Sequence, residues 1–100
     1  MKKVQHMVLM KFKPETSDGT IAECYAKLAE LQSVISGIEH YSGGPYASPE
    51  GLNKDFTHGF LMTFTDAAAR DAYLPHPEHE KVKELLLTHL ADVIVFDFEV

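Results

Sequence analysis

Along residues 4–12, Val-Gln-His-Met-Val-Leu-Met-Lys-Phe, alternate positions sort into Val4, His6, Val8, Met10 and Phe12 on one side and Met7, Leu9 and Lys11 on the other. Both sets are largely apolar, which predicts a strand covered on both faces. Pro14 ends it, and Ser17 or Asp18 then precedes Ile21, Tyr25, Leu28, Leu31 and Ile35, spaced by three or four. That spacing predicts an amphipathic helix over 19–36, with Gly37 suited to a left-handed C-cap. Residues 38–46 read as a shorter strand ending at Gly43-Gly44-Pro45, and Ser48-Pro49-Glu50-Gly51-Leu52-Asn53-Lys54 is loop chemistry. A third strand follows over 56–65. Asp66 before three alanines is an N-cap signal for a helix reaching Tyr73, which Pro75 and Pro77 break. Pro77 suits the first turn of a new helix carrying Val82, Leu85, Leu86 and Leu90, and Val93–Val100 reads as a fourth strand.

The order β-α-β-β-α-β predicts an α+β, ferredoxin-like sandwich in which a four-stranded sheet carries its helices on one face. The first and third strands are expected to be central and parallel. His6-Met7-Val8-Leu9-Met10-Lys11-Phe12 and His58-Gly59-Phe60-Leu61-Met62-Thr63-Phe64 share His, Leu, Met and Phe in register, 52 positions apart (58 − 6). If the strands pair in that register, His6 and His58 lie side by side. The second sheet face then exposes Met7, Leu9, Leu61 and Val95, and a contiguous apolar patch of that kind predicts a two-fold homodimer with sheet facing sheet.

One hundred residues make a single domain spanning 1–100, and 45% hydrophobic with 24% charged residues is an ordinary globular composition. The formal charge of −6, with Arg70 the sole arginine, argues against a nucleic-acid partner. A single cysteine, Cys24, supplies neither an internal disulfide nor a thiolate cage, and it reads as a small buried residue. No run approaches the ~18 apolar residues of a membrane span, and the basic start Met1-Lys2-Lys3 is not followed by a signal-like segment. The expectation is an unprocessed cytoplasmic protein without a membrane partner.

Six histidines are the residues with chemistry to offer. His6 and His58 begin the central strands, Tyr73, His76 and His79 cluster where the second helical segment breaks, and His40 and His89 stand apart. A histidine and a tyrosine in an apolar pocket can move a proton at an activated carbon or orient a carbonyl. The competing reading of each strand-end histidine is a satisfied polar residue at the edge of the core. His76-Pro77-Glu78-His79 has the spacing of a metal pair, but Pro77 disturbs that geometry and Glu78 and Glu80 read as first-turn helix charges, so no side-chain metal site is expected. The 48–54 loop lacks the glycines and Lys-Ser or Lys-Thr of a phosphate loop.

Taken together, His6-Met7-Val8-Leu9-Met10-Lys11-Phe12-Lys13, Gly44-Pro45 with Ser48-Pro49-Glu50-Gly51-Leu52-Asn53-Lys54, Phe56-Thr57-His58, Tyr73-Leu74-Pro75-His76-Pro77-Glu78-His79 and Val95-Phe96-Asp97-Phe98 resemble the stress-responsive α/β-barrel (Dabb) family over essentially the whole chain. The resemblance implies a ferredoxin-like protomer and a dimer whose sheets close into a dimeric α/β barrel. Family membership alone does not fix a reaction. What it implies is a stress-responsive protein with a small-molecule pocket. As an alternative it implies a cofactor-independent cyclase of the lyase or isomerase kind, closing a polyketide by aldol condensation. In such an enzyme the histidine matching His79 is the base, the tyrosine matching Tyr73 its partner, and the histidines matching His6 and His58 line the pocket. The walls expected from the residues are Tyr25, Phe60, Met62 and Leu90, around a small hydrophobic carbonyl-containing ligand. A cofactor-independent monooxygenase is a further alternative, and a non-enzymatic protein with that space filled by side chains is the rival class. The resemblance also implies a magnesium ion on backbone carbonyls after the first helix, near Gln32, Ile35 and Ile38.

Overall fold

The structure, a computed structural model, describes residues 2–100, so that Met1 of the basic Met1-Lys2-Lys3 start lies outside the described residues. The elements are β1 (Val4–Phe12), α1 (Asp18–Val34), β2 (Ile38–Pro45), β3 (His58–Phe64), α2 (Ala67–Tyr73), α3 (Pro77–His89) and β4 (Leu90–Glu99). They make a ferredoxin-like βαββαβ fold with the second helical limb split in two. Local chemistry sets the boundaries. Ser17 caps α1 by accepting from the Thr20 amide at 3.1 Å, and Asp66 caps α2 by accepting from the Ala69 amide at 2.8 Å. Pro77 occupies the first turn of α3, where its missing N–H costs nothing, and the His76 imidazole accepts from the Glu78 amide.

Two expectations at the end of α1 shift. The helix stops at Val34 with Ile35 as an extended C-cap, and Gly37 (φ 96°) turns the chain into β2 instead of capping the helix. A side chain at Gly37 would meet the Ala69 Cβ at 2.7 Å, so this turn is tight because α2 packs on it. The fourth strand begins at Leu90, three residues before the alternating run that predicts it.

The sheet order is β2-β3-β1-β4, and every neighbouring pair is antiparallel. The expectation that β1 and β3 run parallel is therefore wrong. One helical crossover followed by the β2–β3 hairpin reverses the chain before β3, so the repeated segment is laid down in the opposite direction. His6 pairs with Met62 and His58 with Met10. The two histidines share the helix-facing side but stand four positions apart along the strands, about 13 Å, not side by side.

Between that side and the helices lies the core, with Met10, Leu28, Met62, Phe64 and Tyr73 almost fully buried and Cys24 among them. Met7 and Leu9 reach the open face as expected. Val95 does not. It pairs with Val8 and so shares the helix side with Val93 and Asp97, whereas Ile94, Phe96 and Phe98 face outward. The strand is apolar at both parities, so its pattern cannot choose a face. The open face thus carries Met7, Leu9, Ile94, Phe96 and Phe98 as exposed large apolar side chains, with Leu61 partly covered. No helix among the described residues is long and apolar enough to cross a membrane.

Candidate functional site

A cavity of about 470 Å³ opens between the sheet and α3. Its walls are apolar: Val8 and Phe60 from the central strands, Leu28 from α1, Val82 and Leu86 from α3, and Leu90 and Val95 from β4. Four polar side chains interrupt them, His6, Tyr73, His79 and Lys83. The break between α2 and α3 matters here. It brings Tyr73, the last residue of α2, against His79 in the first turns of α3, with ring centroids 4.1 Å apart and planes inclined by 32°.

The proton positions on these groups follow from their partners. His79 Nδ1 lies 2.9 Å from the Leu74 carbonyl, which can only accept, so Nδ1 carries the proton and donates. Nε2 is left with a lone pair. Burial pushes the His79 imidazole below its ordinary value of 6.5, with Lys83 and His6 acting in the same direction, and the Leu74 bond and Glu80 acting against it. Burial raises the Tyr73 phenol far above its ordinary value, so it remains a neutral hydrogen-bond donor. His6, on β1, donates from Nδ1 to Asp97 at 2.6 Å, and the other Asp97 oxygen accepts from Arg70 at 2.7 Å. The His6 ring also meets the edges of Phe64 and Tyr73 at centroid distances of 5.9 and 6.0 Å.

Of the residues proposed from sequence, His6, Phe60, Tyr73, His79 and Leu90 line this cavity, and Tyr25, His58 and Met62 do not. Met62 is wholly enclosed in the core. Tyr25 and His58 form a separate pair at the far end of the central strands, because antiparallel pairing carries His58 away from His6. The Tyr25 hydroxyl donates to the Gly44 carbonyl at 3.0 Å and accepts from His58 Nδ1 at 2.9 Å. They sit beside a shallow depression of about 240 Å³ bordered by Leu9, Tyr46, Asn53 and Phe56. His76 is taken up in capping α3. Sequence reasoning assigned no role to Asp97, Arg70 or Lys83. The available signal was an acidic residue inside the otherwise apolar run Val93–Phe98, at the same parity as the two helix-facing valines.

Several hydrogen bonds hold the turn after α1. Gln32 Nε2 donates to the Glu39 carbonyl, the Ile35 amide to the Leu31 carbonyl, and Thr65 donates twice to the Gly37 carbonyl. No step below is routed through magnesium.

The model of the stress responsive A/B barrel domain matches residues 4–100. The chain belongs to this family. Among relatives, olivetolic acid cyclase of Cannabis sativa is 21% identical over 95 residues, covering 95% of this chain and 94% of that one. A dimeric ferredoxin-like protein of unknown function from Jannaschia sp. CCS1 is 31% identical with a TM-score of 0.89, covering 98% of this chain and 99% of that one. A hydroxynitrile lyase from Passiflora edulis superposes with a TM-score of 0.93 over 99% of this chain and 94% of its own, and at 20% identity that likeness shows the shared fold alone. The proteins this chain is similar to thus include a named cyclase and a protein of unknown function.

Proposed function

We propose that this stress responsive A/B barrel protein is a homodimer that binds small apolar carbonyl compounds and transfers a proton at the carbon beside the carbonyl without a cofactor. The observation that carries this reading is the convergence of Tyr73 and His79 on one apolar cavity of about 470 Å³, the default form of a small-molecule site. His79 Nε2 takes the proton from carbon. The C–H electron pair moves into the carbonyl, and the oxygen that gains charge accepts a hydrogen bond from the Tyr73 hydroxyl. Return of the proton gives an isomerisation, and attack of the carbanion on a second carbonyl carbon gives a cyclisation. The olivetolic acid cyclase relative supports the second outcome. The dimeric relative at 31% identity and the apolar open face support the assembly.

A thermal-shift screen of ketones and polyketide mimics tests the site, run on the wild type beside His79→Ala and Tyr73→Phe. A ligand that stabilises the wild type should lose most of its effect in both variants. Equal stabilisation of all three would place its site elsewhere and leave these two residues a structural role.

A further inference from the structure

Arg70, Asp97 and His6 form a part-buried chain of contacts that ends beside the cavity. Asp97 Oδ1 lies 2.6 Å from His6 Nδ1, and Asp97 Oδ2 lies 2.7 Å from an Arg70 guanidinium nitrogen. All three side chains are largely covered, at 7%, 22% and 24% exposure. A carboxylate accepts and a guanidinium only donates, so the His6 proton stands on Nδ1. Among the described residues nothing bonds Nε2, and no buried side-chain nitrogen or oxygen lacks a partner. Nε2 is therefore open to the space that His6 lines, which is the cavity.

We infer that Asp97, oriented by Arg70, is a positioning residue that fixes His6 as the Nδ1–H tautomer and so makes Nε2 a second proton acceptor at the polar end of the cavity. This rests on the proposed carbonyl-binding reading and deepens it. The cavity then offers two imidazole acceptors, His79 and His6, and one phenol donor, Tyr73. A plain ketone uses the phenol and the His79 nitrogen. Only a compound with an additional O–H beside its carbonyl also satisfies His6, so the favoured ligand class is a β-hydroxy carbonyl compound or an enolised 1,3-dicarbonyl, on an apolar tail.

The substitution Asp97→Asn tests the assignment because Arg70 dictates how the amide must turn. Arg70 has no acceptor, so it claims the Asn carbonyl oxygen, and the amide NH₂ is left facing His6. Nδ1 must then accept, and the proton moves to Nε2. Imidazole ¹⁵N spectra of the ligand-free protein should show His6 protonated on Nδ1 in the wild type and on Nε2 in Asp97→Asn, with Arg70→Gln keeping the wild-type pattern. Binding of heptan-2-one and 4-hydroxyheptan-2-one by calorimetry supplies the second readout. In the wild type the hydroxyl should improve affinity about threefold to tenfold, the worth of one neutral hydrogen bond. Asp97→Asn turns Nε2 into a donor, so the hydroxyl, which can also accept, keeps its increment, whereas 4-methoxyheptan-2-one, whose ether oxygen only accepts, should gain over heptan-2-one in the variant and not in the wild type, a reversal that a purely structural role would not produce. An Nε2-protonated His6 in the wild type, or a methoxy ketone that binds Asp97→Asn no better than heptan-2-one does, overturns the inference. If neither ketone binds the wild type, the carbonyl-binding reading falls, while the ¹⁵N spectra still decide the tautomer.

Discussion

Replacing Phe96 by alanine separates the two faces of β4 and puts a magnitude on the dimer. Phe96 is 61% exposed in the protomer and stands on the open sheet face with Ile94, Phe98, Met7 and Leu9. Covering a whole phenylalanine side chain is worth about 1.5–3 kcal/mol. A two-fold interface takes in Phe96 twice, so truncating the exposed part of both copies should cost about 2–4 kcal/mol of association, a dissociation constant weakened roughly 30- to 700-fold. Sedimentation across a dilution series measures it. The wild type should run near twice the 11.2 kDa chain at micromolar concentration, and Phe96→Ala should dissociate within the accessible range. Val95→Ala, one residue away but facing the cavity, should leave the assembly intact and alter ligand binding. A monomeric wild type, or a Phe96→Ala variant with unchanged association, would refute the sheet-to-sheet dimer.

Two further substitution and pH outcomes follow from the geometry. Gly37→Ala puts a methyl group 2.7 Å from the Ala69 Cβ at a φ of 96°, and overpacking plus left-handed strain should lower stability by about 2–4 kcal/mol, read by thermal denaturation. Adding Ala69→Gly should recover the steric part, and a Gly37→Ala protein as stable as the wild type would show that the turn relaxes freely. If neutral His79 is the base, α-proton exchange of heptan-2-one should rise with pH through a value below 6.5 and level off above it, because burial disfavours the imidazolium. The same depressed value makes the unfolded chain bind more protons, so His79 contributes stability that is present above about 6.5 and lost as pH falls toward its folded value. A rising limb centred above 6.5 would remove His79 from the role of base.

The element order was legible because this chain punctuates itself. Ser17, Asp66 and Pro77 act where their local chemistry places them, and helical periods with prolines between them divide the second limb at Tyr73. The strand directions were not legible from the repeated segment. A shared run of residues says that two strands are alike, whereas their relative direction depends on how many reversals the connections make. That error set His58 beside His6, and the antiparallel register carries it away. Tyr73 and His79 were findable because the Pro75 and Pro77 break sets the end of one helix beside the start of the next. Asp97 and Arg70 lie 27 positions apart, on β4 and α2, and only the folded chain brings them together.

Those two residues also answer a question the apolar pattern of β4 leaves open. Val93 and Val95 face the cavity while Ile94, Phe96 and Phe98 face outward, and a one-residue slip would exchange the two sets with little hydrophobic penalty. Such a slip would instead turn Asp97 onto the open face, leaving the buried His6 imidazole without its carboxylate and Arg70 with Asp71 alone. Removing one partner of a buried pair costs far more than exchanging one apolar side chain for another. The backbone bonds between Lys3 and Val100 close the same end of the strand in that register. Asp97 therefore pins β4, and by pinning it assigns the alternate residues of one strand to two tasks, the valines to the wall of the cavity and the phenylalanines to the face that a second copy covers. The residue that faces His6 is the one that decides which side of the strand lines the cavity.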